Sequence, residues 1–490
     1  MTSADRSATG DQATPGGGPR SGRQRRLERS WDRTERRALG KAERRRVPLD
    51  AHRELAASGP DADPILLLER QAVSRVPELV PVRYGRMLLS PFTFYRGGAL
   101  IMAADLDRGP STGLRAQLCG DAHLSNFGVF ASPERDLVFD INDFDETLPG
   151  PFEWDVKRLA ASLEIAARDS GFKRKERQQV VMRSARAYRE TMHDFAGQGN
   201  LAVWYAHVRE QEVMPYLSRS LASKRLRVTE ETLAKARTRD SMQALRKLTT
   251  VVGDRVSFIS DPPLIVPLGE LLPEHDAREL TAWLEGLLAA YARTLDSDLR
   301  HLLRGYRLVD VARKVVGVGS VGTRAWIVLL QGIDGRDPLI LQAKEAQPSV
   351  LEEYAGASRY ANSAHRVVAG QRLMQAHGDI LLGWHRARLP DGGTRDYYVR
   401  QLRDWKGSIV VEEMPPQSLE VYGRLCAWTL ARAHARSGDR VAIDAYLGTT
   451  DTFDRAIVDF ASVYADKNER DYALMRAAAA SGRIKPMMGV

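Results

Sequence analysis

Residues 119–126 read Cys119-Gly120-Asp121-Ala122-His123-Leu124-Ser125-Asn126, and seventeen positions beyond that asparagine stands Asp143-Phe144-Asp145. Between them lie two runs of strand formers, Phe127 to Phe130 and Leu137 to Ile141. Ala131-Ser132-Pro133-Glu134-Arg135-Asp136 joins the runs, and its proline and serine mark a turn. A hairpin therefore returns the Asp143 end to the Asn126 end. An acid and an amide five apart, brought beside acids around an aromatic, are the parts with which a phosphoryl-transfer site holds a hydroxyl and Mg²⁺. No other segment is as specific.

In this reading Asp121 accepts a hydrogen bond from the attacking hydroxyl and orients it. Asn126 and Asp143 give Mg²⁺ the hard oxygen ligands it prefers, and Asp145 joins a second metal ion. His123 has no second histidine at i+3 or i+4, so zinc fits poorly and a hydrogen-bonded scaffold role for the loop is expected. Asp140 rivals Asp143 as a ligand, because strand alternation over 139–143 leaves the direction of each side chain open. The plain alternative is a loop whose Asp and Asn side chains satisfy backbone groups.

Downstream, Gly317-Val318-Gly319-Ser320-Val321-Gly322 fits G-x-G-x-x-G, a pattern common to dinucleotide-binding folds and kinases. Context separates the two. A dinucleotide site opens a helix at the last glycine, whereas Thr323 to Leu330 is rich in strand formers and leads to an Asp334-Gly335 turn. The loop is expected to join two strands. The next strand, Leu339-Ile340-Leu341-Gln342-Ala343-Lys344, ends where a kinase places the lysine that grips the α and β phosphates. Gly317, Gly319, Gly322 and Lys344 are thus candidate ATP-binding residues. The alternative is a glycine hairpin with a lysine protecting a sheet edge.

With 490 residues, 43% of them apolar, the chain can bury a large core in two or three domains or one two-lobed enzyme. Its net charge of +9 is concentrated between residues 20 and 46, where twelve Arg or Lys face four acids. The remainder is nearly neutral, so no specific nucleic-acid partner is expected. The basic run reads as a solvated arm or intramolecular strap, or as a tether for an anionic partner. Two cysteines are too few for a disulfide framework and point to a reducing cytoplasm. No apolar run is long enough to predict a membrane span or a secretory leader.

Residues 1–46 are expected to be a disordered basic tail, partly helical from 20 to 46, because Gly, Ser, Thr and Pro at its start cannot repay the entropy of ordering. A one-sided helix is predicted over 61–77 and a short helix or turn beside the site at Ser90 to Gly98. Asp155 is a candidate N-cap for a helix with Val156, Leu159, Leu163 and Ala167 on one face. Helical pattern continues to about 300. Val309 to Val316, Thr323 to Leu330 and Leu339 to Ala343 predict a three-stranded antiparallel meander. A helix over 352–376, a strand pair near 379–401 and a helix over 418–436 follow.

Gly120-Asp121-x-His123-x-x-Asn126 followed by Asp143-Phe144-Asp145 resembles the catalytic and metal loops of aminoglycoside-phosphotransferase and choline-kinase-like enzymes, within the protein-kinase superfamily. The phrases Ser90-Pro91-Phe92, Trp154-Asp155 with Lys157-Arg158, Gly370-Gln371-Arg372 and Arg400-Gln401-Leu402 look like domain of unknown function 2252, from about residue 45 to 470. The resemblance implies an α+β, two-lobed kinase-like fold with ATP and Mg²⁺ as cofactors and a small-molecule or protein acceptor. Because the glycine loop follows the catalytic loop, a circular permutation is inferred, which surface breaks with nearby ends permit. The helical catalytic lobe is then 47–304 with its N-terminal extension, the nucleotide-binding lobe 305–410, and 411–490 completes the helical lobe. Cys119 stands where these enzymes usually have histidine, and the helix after Lys344 offers only Glu352 or Glu353 as the lysine's partner. Alternative functions are a kinase-like pseudoenzyme scaffold, an AMP transferase, and a metal-dependent hydrolase.

Overall fold

Two groups of strands separated by helices build a mixed α+β fold. The computed structural model describes residues 32–489 except 57–62, 254, 273–276, 316, 390–391, 403–404 and 408–409. In the first group β1 (Arg115–Leu118) is followed by the hairpin β2 (Phe127–Ala131) and β3 (Leu137–Ile141), then by β4 (Leu148–Pro151). β2 and β3 pair antiparallel with Phe127 opposite Ile141, and β1 pairs with β4 with Leu118 opposite Leu148. Both registers end at the same place, so loops 119–126 and 142–147 emerge side by side. Asn142 N–H donates to the Asn126 carbonyl at 2.8 Å across that junction.

Behind these loops the helices Phe152–Asp169, Arg174–Gly197, Pro416–Ser437 and Thr452–Ala480 share one core, with Leu163, Tyr188, Leu430 and Phe460 buried in it. Phe152–Asp169 is buried on every side from Phe152 to Ala167 and is the central post of this half. Burying one such aliphatic or aromatic side chain stabilises by about 1.5–3 kcal/mol.

The second group begins with the hairpin β5 (Thr249–Val252) and β6 (Arg255–Phe258), then β7 (Ile265–Pro267), β8 (Arg307–Lys314), β9 (Ala325–Gln331), β10 (Pro338–Ala346), β11 (Gly383–Arg388) and β12 (Thr394–Gln401). Strands β7 to β12 form one antiparallel sheet in the order β11-β12-β10-β9-β8-β7. Lys344 stands opposite Tyr398 and Gln342 opposite Arg400. By alternation Leu341, Ala343 and Val399 turn to the other face, where Tyr291, in the last turn of the Ala277–Ala292 helix, and Leu295, just beyond it, pack.

The expected meander is therefore part of a larger sheet, whose edge strand β7 precedes the boundary placed at 305. Residues 249–258, expected to continue a helical pattern, pair as strands because the run Thr249-Thr250-Val251-Val252 is β-branched throughout. The tail boundary at 46 is also corrected: Arg33–Arg46 is a helix capped by the Asp32 side chain and packed on the Arg440–Leu447 helix. Gly40 makes the approach possible, since a Cβ there would lie 2.0 Å from the Ala442 carbonyl oxygen. Arg44 then donates to the Tyr446 carbonyl at 2.5 Å. The disorder expected for residues 1–31 lies outside the described residues. Among the described residues no helix is long and apolar enough to cross a membrane.

Candidate functional site

Gly120 has φ +82°, and a Cβ there would come within 2.4 Å of the Glu146 carbonyl oxygen, so the turn into Asp121 requires glycine. Asp155 fixes the same turn. It lies inside the first turn of the Phe152–Asp169 helix, which corrects its expected N-cap role, and accepts from the backbone N–H of Cys119 at 2.8 Å and of Gly120 at 3.1 Å. His434 Nε2 stands 3.3 Å from the Asp155 carboxylate. Cys119, at the position where a histidine was expected, is fully buried.

Asp121 carries a partner that sequence reasoning missed. Arg158, one helical turn beyond Asp155, donates to Asp121 Oδ1 through Nη2 at 2.6 Å and Nε at 2.9 Å. Burial pushes the Asp121 carboxyl upward, and Arg158 pulls against it. The Asn126 amide nitrogen donates to the Asp121 carbonyl at 2.8 Å, which leaves the amide oxygen as the atom it can offer a ligand. His123 Nε2 lies 3.6 Å from Asp121 Oδ2, while its buried Nδ1 has no hydrogen-bond partner, so the expected hydrogen-bonded scaffold is made by its main chain instead. Its N–H donates to the Asp121 carbonyl and its carbonyl accepts from Asn126 N–H, at 2.8 and 2.9 Å. Burial drives the imidazole strongly toward its neutral form.

Across from this loop Lys344 Nζ lies 2.5 Å from Asp145 Oδ2 and 3.6 Å from Asp143 Oδ2. Asp145 also accepts from the hydroxyls of Tyr398 at 2.7 Å and Ser320 at 3.1 Å. Burial and the neighbouring Asp145 charge push Asp143 up; burial acts on Asp145 too, but Lys344 and the two donors from Lys344 and Tyr398 hold it down. Glu352 and Glu353, offered as the lysine's partner, serve elsewhere: Glu352 accepts from Ser349 and Ser358 N–H, and Glu353 pairs with Arg70. The Ser363–Met374 helix instead presents buried Arg366, which donates to the carbonyls of Asp145, Thr147 and Gln347. Asp140 is removed from contention, since it points into the helical core and pairs with Arg432 at 2.5 Å.

The glycine loop does join β8 and β9. A single 3₁₀ turn, Val318–Ser320, brings Gly319 over the acidic loop, where a Cβ on it would lie 3.9 Å from Asp121 Oδ2. Arg75 pins the loop by donating to the carbonyls of Val321 and Gly319, and Val76 N–H reaches the Gly322 carbonyl at 2.7 Å. Asp121, Asn126, Asp143, Asp145, Gly319 and Lys344 thereby line one cavity of about 340 Å³, with Gly317 and His123 also in its wall. Gly322 serves the bend of the loop, at φ +92°, and is not part of that wall. Arg96, Arg400 and Lys406 line it as well. Burial beside Arg400 lowers Lys406 to about 7, and burial raises Glu146, which lines the same cavity, to about 7. Arg158 and Arg400 had a signal in sequence, as parts of the phrases at 154–158 and 400–402; Lys406 had none. Among the described residues no cluster of three or more His, Cys, Asp or Glu is placed to hold a metal ion.

Fold and site together define an α+β protein with an acid-lined cleft, covered by a glycine loop and faced by a lysine-bearing sheet. The chain belongs to a family described as uncharacterized proteins conserved in bacteria, domain of unknown function 2252, whose model matches residues 75–478. No curated protein and no solved structure matches it.

Proposed function

We propose that the protein is a cytoplasmic, ATP- and Mg²⁺-dependent phosphotransferase with a circularly permuted, two-lobed kinase-like architecture. The observation that carries this reading is the meeting of three segments far apart in sequence: Lys344 lies 2.5 Å from Asp145, and the glycine loop lies over Asp121. Lysine and glycine loop suit the donor phosphates, and Asp121 suits an acceptor hydroxyl. The Pro416–Ser437 helix ends against β1, where Ser437 Oγ accepts from Gln117 N–H at 3.1 Å, a contact compatible with a permuted order.

Asp143, Asp145 and the Asn126 amide oxygen form a small set of hard donors. It fits Mg²⁺, which keeps several waters and takes the rest of its shell from phosphates. Asp143, Asp145 and Asn126 would hold the ion, which would supply neutralising charge for the phosphates. Lys344, held beside Asp145 at the cleft, would add its positive charge toward the phosphates. Asp121 holds the acceptor hydroxyl and helps remove its proton, while Arg158 keeps that carboxylate oriented. Preorganised charge of this kind supplies most of the rate in such sites.

Purified protein with Mg²⁺ and ATP, assayed for ADP and for pyrophosphate, tests the reading. Asp121→Asn is expected to lower ADP formation by roughly 10²-fold or more while leaving the melting temperature within a few degrees. Equal turnover with and without the Asp121 carboxylate would sink it. Pyrophosphate in place of ADP would mark AMP transfer. A nucleotide-binding scaffold without turnover is the second reading, favoured by Arg366 on the helix where an acid would pair Lys344. It predicts a Lys344-dependent thermal shift with ATP and no product.

A further inference from the structure

The sheet has a second cavity on the face turned away from the cleft. About 80 Å³ of space lies between strands β8 to β12 and the Ala277–Ala292 helix. An apolar cavity of about 150 Å³ takes benzene, so this one encloses about half of such a ring and leaves the rest at its half-exposed mouth. The helix supplies Trp283 and Leu287, which are only half-buried, and the sheet supplies Leu341 and Ala343 beneath them. Among the described residues no acid, lysine or arginine lines the space.

The indole N–H and phenol groups in its wall have hydrogen-bond partners, which singles out His385. His385 lies on β11 opposite Tyr397, its ring stacked against that phenol at 5.9 Å, and it is 8% exposed. Neither Nδ1 nor Nε2 has a hydrogen-bond partner. Leaving a polar group unpaired away from water costs about 1–3 kcal/mol, so an imidazole that could be replaced by phenylalanine is an expensive way to fill a wall. A neutral imidazole presents one donor and one acceptor, and burial lowers this ring to about 4, so it is neutral at physiological pH.

We propose that this cavity is an accessory binding site for a small, uncharged, mostly apolar molecule bearing one hydroxyl or carbonyl group, with His385 as its hydrogen-bonding anchor. The apolar walls supply contact area, and with no compensating charge among the described lining residues an ionised ligand is costly to desolvate. The half-buried outer wall gives such a molecule a way in without opening the core. The site also shares a strand with the cleft: Leu341 and Ala343 line this cavity, and Gln342 and Lys344, alternating with them, line the other. The inference does not depend on what the cleft binds.

Phenol and toluene, nearly the same shape, differ in the one group His385 would recognise. Saturation-transfer NMR on the full chain is expected to detect both, with phenol bound about threefold to tenfold more tightly. His385→Phe should abolish that preference. Leu287→Trp, at a half-exposed helix position where a larger ring can be tolerated, should fill the space and abolish binding of both. The proposal is overturned if neither molecule binds the wild-type protein, if phenol has no advantage over toluene, if the advantage survives His385→Phe, or if binding persists in a folded Leu287→Trp protein.

Discussion

Asp121 is held between two opposing influences, and the balance sets what it can do. Burial favours the neutral acid, whereas two donors from Arg158 favour the carboxylate that a hydroxyl would need. Arg158→Met removes the paired cation and leaves only the more weakly acting Arg96 against burial, so the Asp121 carboxyl rises further. Activity that needs the carboxylate is then lost at a higher pH on the acid side. In a comparison of kcat/KM against pH, the acid limb of Arg158→Met should lie above that of the parent, and a limb that stays put or moves down would refute the pairing argument. Asp155 works on the backbone instead. Replacing it with alanine strands the N–H groups of Cys119 and Gly120, for about 2–4 kcal/mol in urea unfolding. If the loss is below ~1 kcal/mol, water has taken the carboxylate's place and the loop is less enclosed than its geometry implies.

At the scale of elements, the hairpin β2–β3 and the run β8 to β10 were legible because each has strand formers bounded by a turn signal, and local pattern suffices when the pairing partner is next in sequence. The approach of Asp121, Asn126 and Asp143 followed from that hairpin alone. What pattern could not supply was docking. Nothing in Arg33–Arg46 says that Gly40 meets Ala442, and nothing near Ile265 says that it borders a sheet formed mostly by residues beyond 305. Asp155 misled for a related reason: an acid near a helix start fits a cap, but the long-range demand of two loop N–H groups outweighed the local one. Arg158 and Lys406 reach the site only through tertiary placement. Gly120 tests how tightly the first loop is specified. Gly120→Ala must adopt φ near +82° and push a methyl against the Glu146 carbonyl, so it should cost upward of about 2 kcal/mol and lower the melting temperature by several degrees. A fully stable Gly120→Ala would mean that the two loops move apart freely.

For the whole molecule, buried neutral imidazoles set the response to acid. Burial beside Lys157 lowers His52 to about 3, burial lowers His385 to about 4, and burial next to Arg96 and Arg158 depresses His123 as well. The unfolded chain titrates its histidines near 6.5. Above about pH 7 neither state is protonated and these groups leave stability unchanged. As pH falls below 6.5 the unfolded chain takes up protons that the native state refuses, so stability is lost, by roughly 2 kcal/mol per histidine at pH 5. Glu146 acts in the opposite sense: raised to about 7, it binds its proton in the native state before the unfolded chain does and offsets about one histidine between pH 7 and 4.5. Each such histidine therefore costs roughly 2 kcal/mol at pH 5, against the 5–15 kcal/mol that a typical native state possesses. His52 isolates the effect, because its Nε2 meets the Tyr446 hydroxyl at 2.6 Å and glutamine can keep a hydrogen bond there without titrating. Urea unfolding of parent and His52→Gln at pH 7.5 and pH 5 should give a smaller acid loss in the variant, by about 2 kcal/mol. Equal losses in the two proteins would mean that His52 is protonated in the native state, and that the packing of its ring edge-on against Tyr446 and Phe453 tolerates a charge.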